Sequence, residues 1–171
     1  TVSAMITPCP KICIAGAGAI GGTIAARLAM AGLDVSVLAR GATLEALRRD
    51  GITLTDLEGT HQVPVQASDQ ADFGVQDILF ICAKAHDLPT LLPRLMPLVG
   101  THTVVVPAIN GVPWWYFQGK TGRFAGETVR AVAPGGVLTA TLPWRHLIGS
   151  VVFITAESPQ PGHVVARNPH L

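Results

Sequence analysis

The stretch Lys11-Ile12-Cys13-Ile14-Ala15-Gly16-Ala17-Gly18-Ala19-Ile20-Gly21-Gly22 sets a short apolar run, a glycine turn and the opening of an amphipathic segment one after another without a gap. Strand, turn and helix in that order are what a dinucleotide site requires. The glycines at GxGxxG spacing have separate tasks. Gly16 lets the chain leave the strand in a tight turn, Gly18 offers no side chain to keep backbone N–H groups from a pyrophosphate, and Gly21 lets helix and strand pack closely. The anion then sits at a helix N-terminus, where unpaired N–H groups and the positive end of the helix dipole favour negative charge. Gly16, Ala17, Gly18, Ala19, Ile20 and Gly21 are therefore the candidate pyrophosphate loop.

GxGxxG alone is a weak signal, because glycine and alanine are common; its flanks make it specific. Ile12, Cys13 and Ile14 precede it as a buried strand would, and Ile20, Ile24, Leu28 and Ala31 follow at helical spacing. Gly32 stops the helix, and Asp34-Val35-Ser36-Val37-Leu38-Ala39 reads as a second strand, completing a βαβ unit of about 30 residues.

The chain has 171 residues, 49% hydrophobic and 13% charged. That predicts one large domain with a compact α/β core, since parallel strands buried on both faces use apolar runs. No apolar run reaches the roughly 18 residues of a membrane span. Residues 1–10 form a lead-in with neither a basic start nor a long apolar core, so a secretory signal is not read there. With 12 scattered basic residues and a formal charge of +1, an electrostatic grip on nucleic acid is not expected. Cys13 and Cys82 lie in apolar strand runs as buried free thiols, and Cys9 with Cys13 lacks CxxC spacing; a reducing, cytoplasmic setting is expected. The six histidines are dispersed, none in HExxH, and no metal site is expected.

Position 40 bears on the choice of dinucleotide. NAD sites place an acidic residue near the end of the second strand to accept from the ribose 2′-OH; here Arg40 stands there, and Asp34 is at the other end of the strand. A guanidinium can make a charge-assisted fork to a 2′-phosphate, so Arg40 argues for NADPH over NADH, the alternative being a solvated loop arginine. Thr43 is a candidate helix N-cap, and Asp50-Gly51 stops that helix. Residues 52–55 and 61–65 read as a small β-hairpin inserted at about 52–65, with His61 an exposed strand residue lacking partners at ligand spacing.

Asp77 to Ala83 is the next buried strand, and Lys84 leaves its carboxyl end, where open α/β sheets bind their ligands. Lys84 reads as facing cofactor or substrate, against the alternative of a surface lysine. Asp87 can cap a helix over 88–99, which Pro93 and Pro97 weaken or kink. A further strand, Thr103 to Val106, leads to Asn110, whose amide could orient a substrate carbonyl or hydroxyl together with a nicotinamide ribose. Taken alone, Asn110-Gly111 reads first as a turn dipeptide tolerating positive φ. Trp114 to Phe117 holds four of the nine aromatic residues, and consecutive aromatics cannot all face one core, so a second domain or another subunit is expected to cover part of this run. Residues 118–136 read as a loop with one strand-like patch, 146–154 as a closing buried strand, and 155–171 as a remainder with three prolines in which no element is read.

These residues resemble the N-terminal domain of the 2-dehydropantoate 2-reductase (ketopantoate reductase) family. The resemblance rests on Gly16-Ala17-Gly18-Ala19-Ile20-Gly21, Arg40, Cys82-Ala83-Lys84-Ala85, Asn110-Gly111-Val112-Pro113-Trp114-Trp115-Tyr116 and Leu147-Ile148-Gly149-Ser150-Val151-Val152. It implies a Rossmann-like, doubly wound, mostly parallel sheet with helices on both faces, formed by residues 11–171. It also implies NADPH-dependent reduction of a small 2-keto acid, ketopantoate to pantoate, on the route to pantothenate and coenzyme A. By the resemblance the glycine loop holds the pyrophosphate, Arg40 the 2′-phosphate, and Lys84 and Asn110 the nicotinamide end, with Asn110 also touching substrate. The family's general acid is a lysine of a helical C-terminal domain that these residues do not include. No catalytic residue is therefore expected among Lys11, Lys84 and Lys120, and the chain alone is expected to bind NADPH without turnover. Ile109 departs from the family, where a polar residue commonly precedes the Asn-Gly pair. The alternatives are a reductase of another small 2-keto acid and a non-catalytic NADP-binding module that senses redox state or binds partners.

Overall fold

Ile12 and Ile14 point into one hydrophobic core and Cys13 and Ala15 into another, so the first strand is buried on both faces with the period of two that a strand imposes. The computed structural model describes residues 9–167. In chain order its elements are β1 (Ile12–Ala15), α1 (Ala19–Met30), β2 (Val35–Leu38), α2 (Gly41–Asp50), β3 (Ile52–Thr55), β4 (Thr60–Val63), β5 (Gln66–Ser68), β6 (Gln76–Ile81), α3 (Leu88–Leu95), β7 (Val99–Pro107), α4 (Val137–Thr141), β8 (Glu157–Gln160) and β9 (His163–Val165).

Five strands form a wholly parallel sheet in the order β5-β2-β1-β6-β7. The chain builds outward from β1 through β2 to β5, then returns to the other side of β1 and lays down β6 and β7. The switch point falls between β1 and β6. On one face α3, α4 and the residue that follows α4 pack Leu88, Leu92, Leu95, Leu138 and Leu142 against Cys13, Ala15, Leu79, Ile81 and Val105. On the other, α1 and α2 bring Ala25, Ala26 and Leu47 onto Ile12, Ile14, Val35 and Val37. Each leucine so buried contributes about 1.5–3 kcal/mol. This is the doubly wound, Rossmann-like α/β architecture expected.

A second sheet, β4-β3-β9-β8, extends the layer beside α1. The expected hairpin is its β3–β4 half, antiparallel from Ile52 opposite Val63 to Thr55 opposite Thr60, with the second strand ending at Val63 instead of Val65. Its other half comes from residues 157–165, where the sequence suggested no element: β9 runs parallel to β3 with His163 opposite Thr53, and β8 turns back on β9. Gly22 explains the contact with α1, since a Cβ there would stand 2.6 Å from Val164 Cγ1.

Other departures have local causes. Helix α2 starts at Gly41, whose φ of +57° turns the chain into it, so Arg40 is the N-cap residue and Thr43 lies in the first turn. Helix α3 ends at Leu95 and continues as a 3-10 turn, Met96–Leu98, because Pro93 and Pro97 lack the N–H donors a longer helix needs. Between 118 and 136 there is no strand among the described residues; a 3-10 turn at Pro134–Gly136 leads into α4. The strand expected over 146–154 is not formed. A 3-10 turn covers Trp144–His146, Leu147 alone bridges Val105 of β7, and Val151 and Phe153 are 79% and 82% exposed. That segment has β7 on one side only, so half of what would hold a buried strand is missing. Of the lead-in, residues 1–8 lie outside the described residues, as do 168–171.

Gly22→Val is expected to lower stability by about 1–3 kcal/mol, as overpacking does. Thermal denaturation checks it, and Val164→Ala in the same chain should restore part of the loss.

Candidate functional site

The carboxyl ends of the parallel strands lie in one row: Leu38 and Ile81 flank Ala15 in register, Ser68 continues the row beyond Leu38, and Pro107 continues it beyond Ile81. Hydrogen bonds carry the ladder one residue further. Gly16 N–H donates to the Leu38 carbonyl (3.0 Å), Cys82 N–H to Ala15 (2.8 Å), Ala108 N–H to Ile81 (2.9 Å) and Ala39 N–H to Ser68 (3.0 Å). The loops that leave this row carry Gly16 to Gly21, Arg40, Lys84 and Asn110. The structure therefore brings every sequence-predicted site residue to one edge, on both sides of the switch point.

The glycine loop is fitted against β6. Gly16 has φ +109°, and a Cβ on it would lie 2.9 Å from the Cys82 carbonyl oxygen; one on Gly21 would strike the Gly16 carbonyl and come within 2.8 Å of Cys82 Cβ. Gly18 differs. It is exposed, and no atom lies within 4 Å of where its Cβ would be, so its missing side chain leaves open space at the head of α1. No side chain caps that helix and its first turn holds no acidic residue, which leaves the N–H groups at its start available to an anion.

Arg40 is exposed at the head of α2, a second helix N-terminus with no acidic residue in its first turn. Lys84 is exposed and precedes the 3-10 turn Ala85–Asp87; Asn110 is exposed just before Gly111, which takes the positive φ of the turn. Sequence reasoning missed Cys82 and Ser150. Cys82 follows the strand-end row directly and forms the floor under the glycines. Ser150 reaches the same edge, its hydroxyl donating to the Pro107 carbonyl at 2.8 Å. Trp114 is only 3% exposed, packed with this chain's own core and edge-on to Trp115 at 4.4 Å, so it needs no outside cover; Tyr116 does stand open, at 48%.

Two cavities lie away from this edge. One of about 560 Å³ opens at the amino ends of β1 and β2, between Lys11, Leu33, Asp34 and Phe73, and one of about 350 Å³ lies between α2 and the 160–163 turn.

His61 is not the lone exposed residue expected. Its Nε2 lies 3.3 Å from Asp56 Oδ1, and Arg27 of α1 pairs with Asp56 Oδ2 at 2.8 Å. The backbone N–H groups of Glu58 and Gly59 also donate to Asp56 Oδ1, at 2.8 and 3.1 Å. Asp56, Glu58 and His61 could geometrically surround a cation, but the Asp56 oxygens are already engaged and a guanidinium sits against them, which disfavours one. Burial raises the Asp56 pKa, yet the Glu58 N–H, Arg27 and His61 together outweigh it and hold the carboxyl below its usual range. The cluster ties α1 to the β3–β4 hairpin.

A family model described as Ketopantoate reductase PanE/ApbA matches residues 12–114. The chain belongs to this family. It is 46% identical over 154 residues to the 2-dehydropantoate 2-reductase of Mesorhizobium japonicum (strain LMG 29417 / CECT 9101 / MAFF 303099), a match covering 89% of this chain and 47% of that protein. With the 2-dehydropantoate 2-reductase of Mycobacterium tuberculosis (strain ATCC 25618 / H37Rv) it shares 32% over 159 residues, 91% of this chain and 45% of that one. A crystal structure from Ralstonia solanacearum MolK2, assigned as a ketopantoate reductase, superposes with a TM-score of 0.88 at 44% identity, covering 93% of this chain and 50% of that chain. The chain thus spans about half the length of the relatives it matches. Among the described residues no helix is long and apolar enough to cross a membrane.

Burial pushes the thiols of Cys13 and Cys82 up to about 12, whereas Cys9 is exposed. In the native protein at pH 8 an alkylating reagent should modify Cys9 and spare the other two; denaturant should open all three, as peptide mass mapping will read. Asp56→Asn should cost about 1–3 kcal/mol at pH 7 by leaving Arg27 without its charged partner. Because the folded pKa is depressed, this stabilisation is present above the ordinary carboxylate value and is lost as pH falls through the lower folded value. Urea titrations of both proteins should converge in acid.

Proposed function

We propose that this chain is the NADPH-binding half of a 2-dehydropantoate 2-reductase, residues 11–171 forming the cofactor domain. The observation that carries this reading is the common edge, where a glycine loop with open space at Gly18, two uncapped helix heads, a guanidinium and two polar side chains emerge from strand ends held in register. The first turn of α1 receives the pyrophosphate through backbone N–H groups. Arg40, beside the head of α2, takes the 2′-phosphate of the adenosine end. Across the switch point Lys84 and Asn110 hold the nicotinamide end, and the Asn110 amide also orients the 2-keto acid.

A dinucleotide held by these residues would supply the hydride for the keto carbon. The chain's own part is positioning: it fixes where the nicotinamide and the carbonyl meet and places donors toward the oxygen on which charge develops. The proton for that oxygen comes from a group outside these residues. Lys11 lies at the amino end of β1, opposite the site, Lys84 is committed to the cofactor, and Lys120 sits over the Tyr116 ring with its Nζ 4.4 Å from the centroid. The family resemblance assigns the acid to a lysine of the half not covered here, so residues 11–171 alone bind without turnover. Three free cysteines support a reducing, cytoplasmic setting.

Calorimetric titration of the 171-residue chain with NADPH and NADH tests this. NADPH should bind more tightly, and Arg40→Ala should weaken NADPH about 10- to 100-fold, the worth of a charge-assisted contact, while moving NADH less than about twofold. Equal losses for both would refute the 2′-phosphate role.

A further inference from the structure

The strand-end carbonyls of Ser68, Leu38, Ala15 and Ile81 each accept from the N–H of the residue that follows the neighbouring strand: Ala39, Gly16, Cys82 and Ala108, at distances between 2.8 and 3.0 Å. The row crosses the sheet from β5 to β7, and β7 has no next strand to supply such a donor. At Pro107, the end of β7, the Ser150 hydroxyl donates instead, at 2.8 Å. A side chain thus stands where a sixth strand would have placed a backbone N–H.

Two further bonds bring Ser150 to that point. Along the outer side of β7 the Thr103 carbonyl accepts from His146 Nδ1 at 3.0 Å, and the Val105 carbonyl from the Ile148 N–H at 2.9 Å. Residues 146, 148 and 150 therefore meet residues 103, 105 and 107 in step, with the period of two of a strand, although only the middle one uses its main chain. Edge carbonyls that a sheet otherwise leaves to water are answered in this way.

The peptide group between Pro107 and Ala108 is held at both ends. Its N–H donates to Ile81 of β6 at 2.9 Å and its C=O accepts from Ser150. Asn110 leaves the sheet two residues beyond this group, exposed and next to Gly111 at φ +111°. With the peptide plane pinned from both sides, the direction in which residues 108–110 depart is set; without Ser150 the plane can tilt about the single bond to Ile81. A hydroxyl has one proton, and that of Ser150 points at Pro107, so Ser150 is not the acid for the keto oxygen.

Building on the reductase reading above, we propose that Ser150 is a positioning residue for Asn110. Its hydroxyl completes the row of strand-end bonds and fixes the peptide from which the Asn110 turn departs toward the nicotinamide end and the 2-keto acid. Small displacements of a group that orients reactants are costly, which gives this one bond its leverage.

Calorimetry on the 171-residue chain compares NADPH with adenosine 2′,5′-bisphosphate, which carries the 2′-phosphate and no nicotinamide. Ser150→Ala should weaken NADPH about 3- to 10-fold, the worth of one neutral hydrogen bond, and move the bisphosphate less than about twofold. Ser150→Thr keeps the hydroxyl and should restore NADPH. His146→Ala removes the bond at Thr103, at the other end of the half-ladder, and should lower the melting temperature without changing the ratio of the two affinities. Equal losses for both probes in Ser150→Ala, or an unchanged NADPH affinity, overturns the proposal. Hydrogen exchange at residues 108–111 reads the clip without any ligand: in Ser150→Ala it should run at least about threefold faster, and equal exchange in the folded variant overturns the proposal as well. A wild-type chain that binds neither probe, with that exchange still faster in Ser150→Ala, would sink the cofactor reading while confirming that Ser150 sets the Asn110 turn.

Discussion

Space beside Cys82 governs how the strand ends, the loop and the first helix can be assembled. Gly16 and Gly21 approach the carbonyl and Cβ of that residue more closely than any side chain would allow, and Gly22, one position on, admits Val164 from the opposite side. Helix α1 is thereby clamped between the parallel sheet and the second one. Its head is fixed relative to β1 and β6, and all the N–H groups aimed out of that head share its position. A methyl group at Gly21 would displace the helix, and with it every backbone donor the loop presents.

The rest of the edge follows from burial. Both faces of β1 are apolar, so the sheet has no room for charge except where its strands end. The four ladder bonds that run past the strand ends hold the loop origins in register, and polar side chains then diverge from fixed points into solvent. Among the described residues the buried charged side chain is Asp56. Polar groups at the rim stand open to solvent, whereas the Asp56 carboxylate inside is met by Arg27, His61 and two backbone N–H groups.

Local pattern made part of this legible. The β1–α1–β2 unit, the strand before Lys84 and the strand before Asn110 could be read because each is a contiguous apolar run with a turn signal at its end, and the edge residues followed from knowing which end of a parallel strand faces the ligand. What stayed hidden depends on distant partners. Residues 163–165 are a strand only because Thr53 to Thr55 offer a ladder, residues 157–160 only because 163–165 then turn back along them, and β5 is three residues held by β2. The reverse error has the same origin: residues 146–154 have the composition of a buried strand, but only Leu147 and Ile148 reach the ladder of β7. His61 was misread because Asp56 lies across a hairpin turn, a distance that ligand-spacing rules along a helix do not measure.

The place of β9 in this scheme has a temporal consequence. Val164 closes the outer side of α1 at Gly22, yet a ribosome delivers it about 140 residues after that glycine. Until then α1 has one uncovered flank, and β3 waits for a parallel partner whose loop closure is one of the longest among the described residues. Helix α1, made long before β9, is therefore completed only when β9 arrives. During translation its exposed apolar flank is a surface for chaperones to guard, and the head of α1 takes its final position only when β9 joins β3.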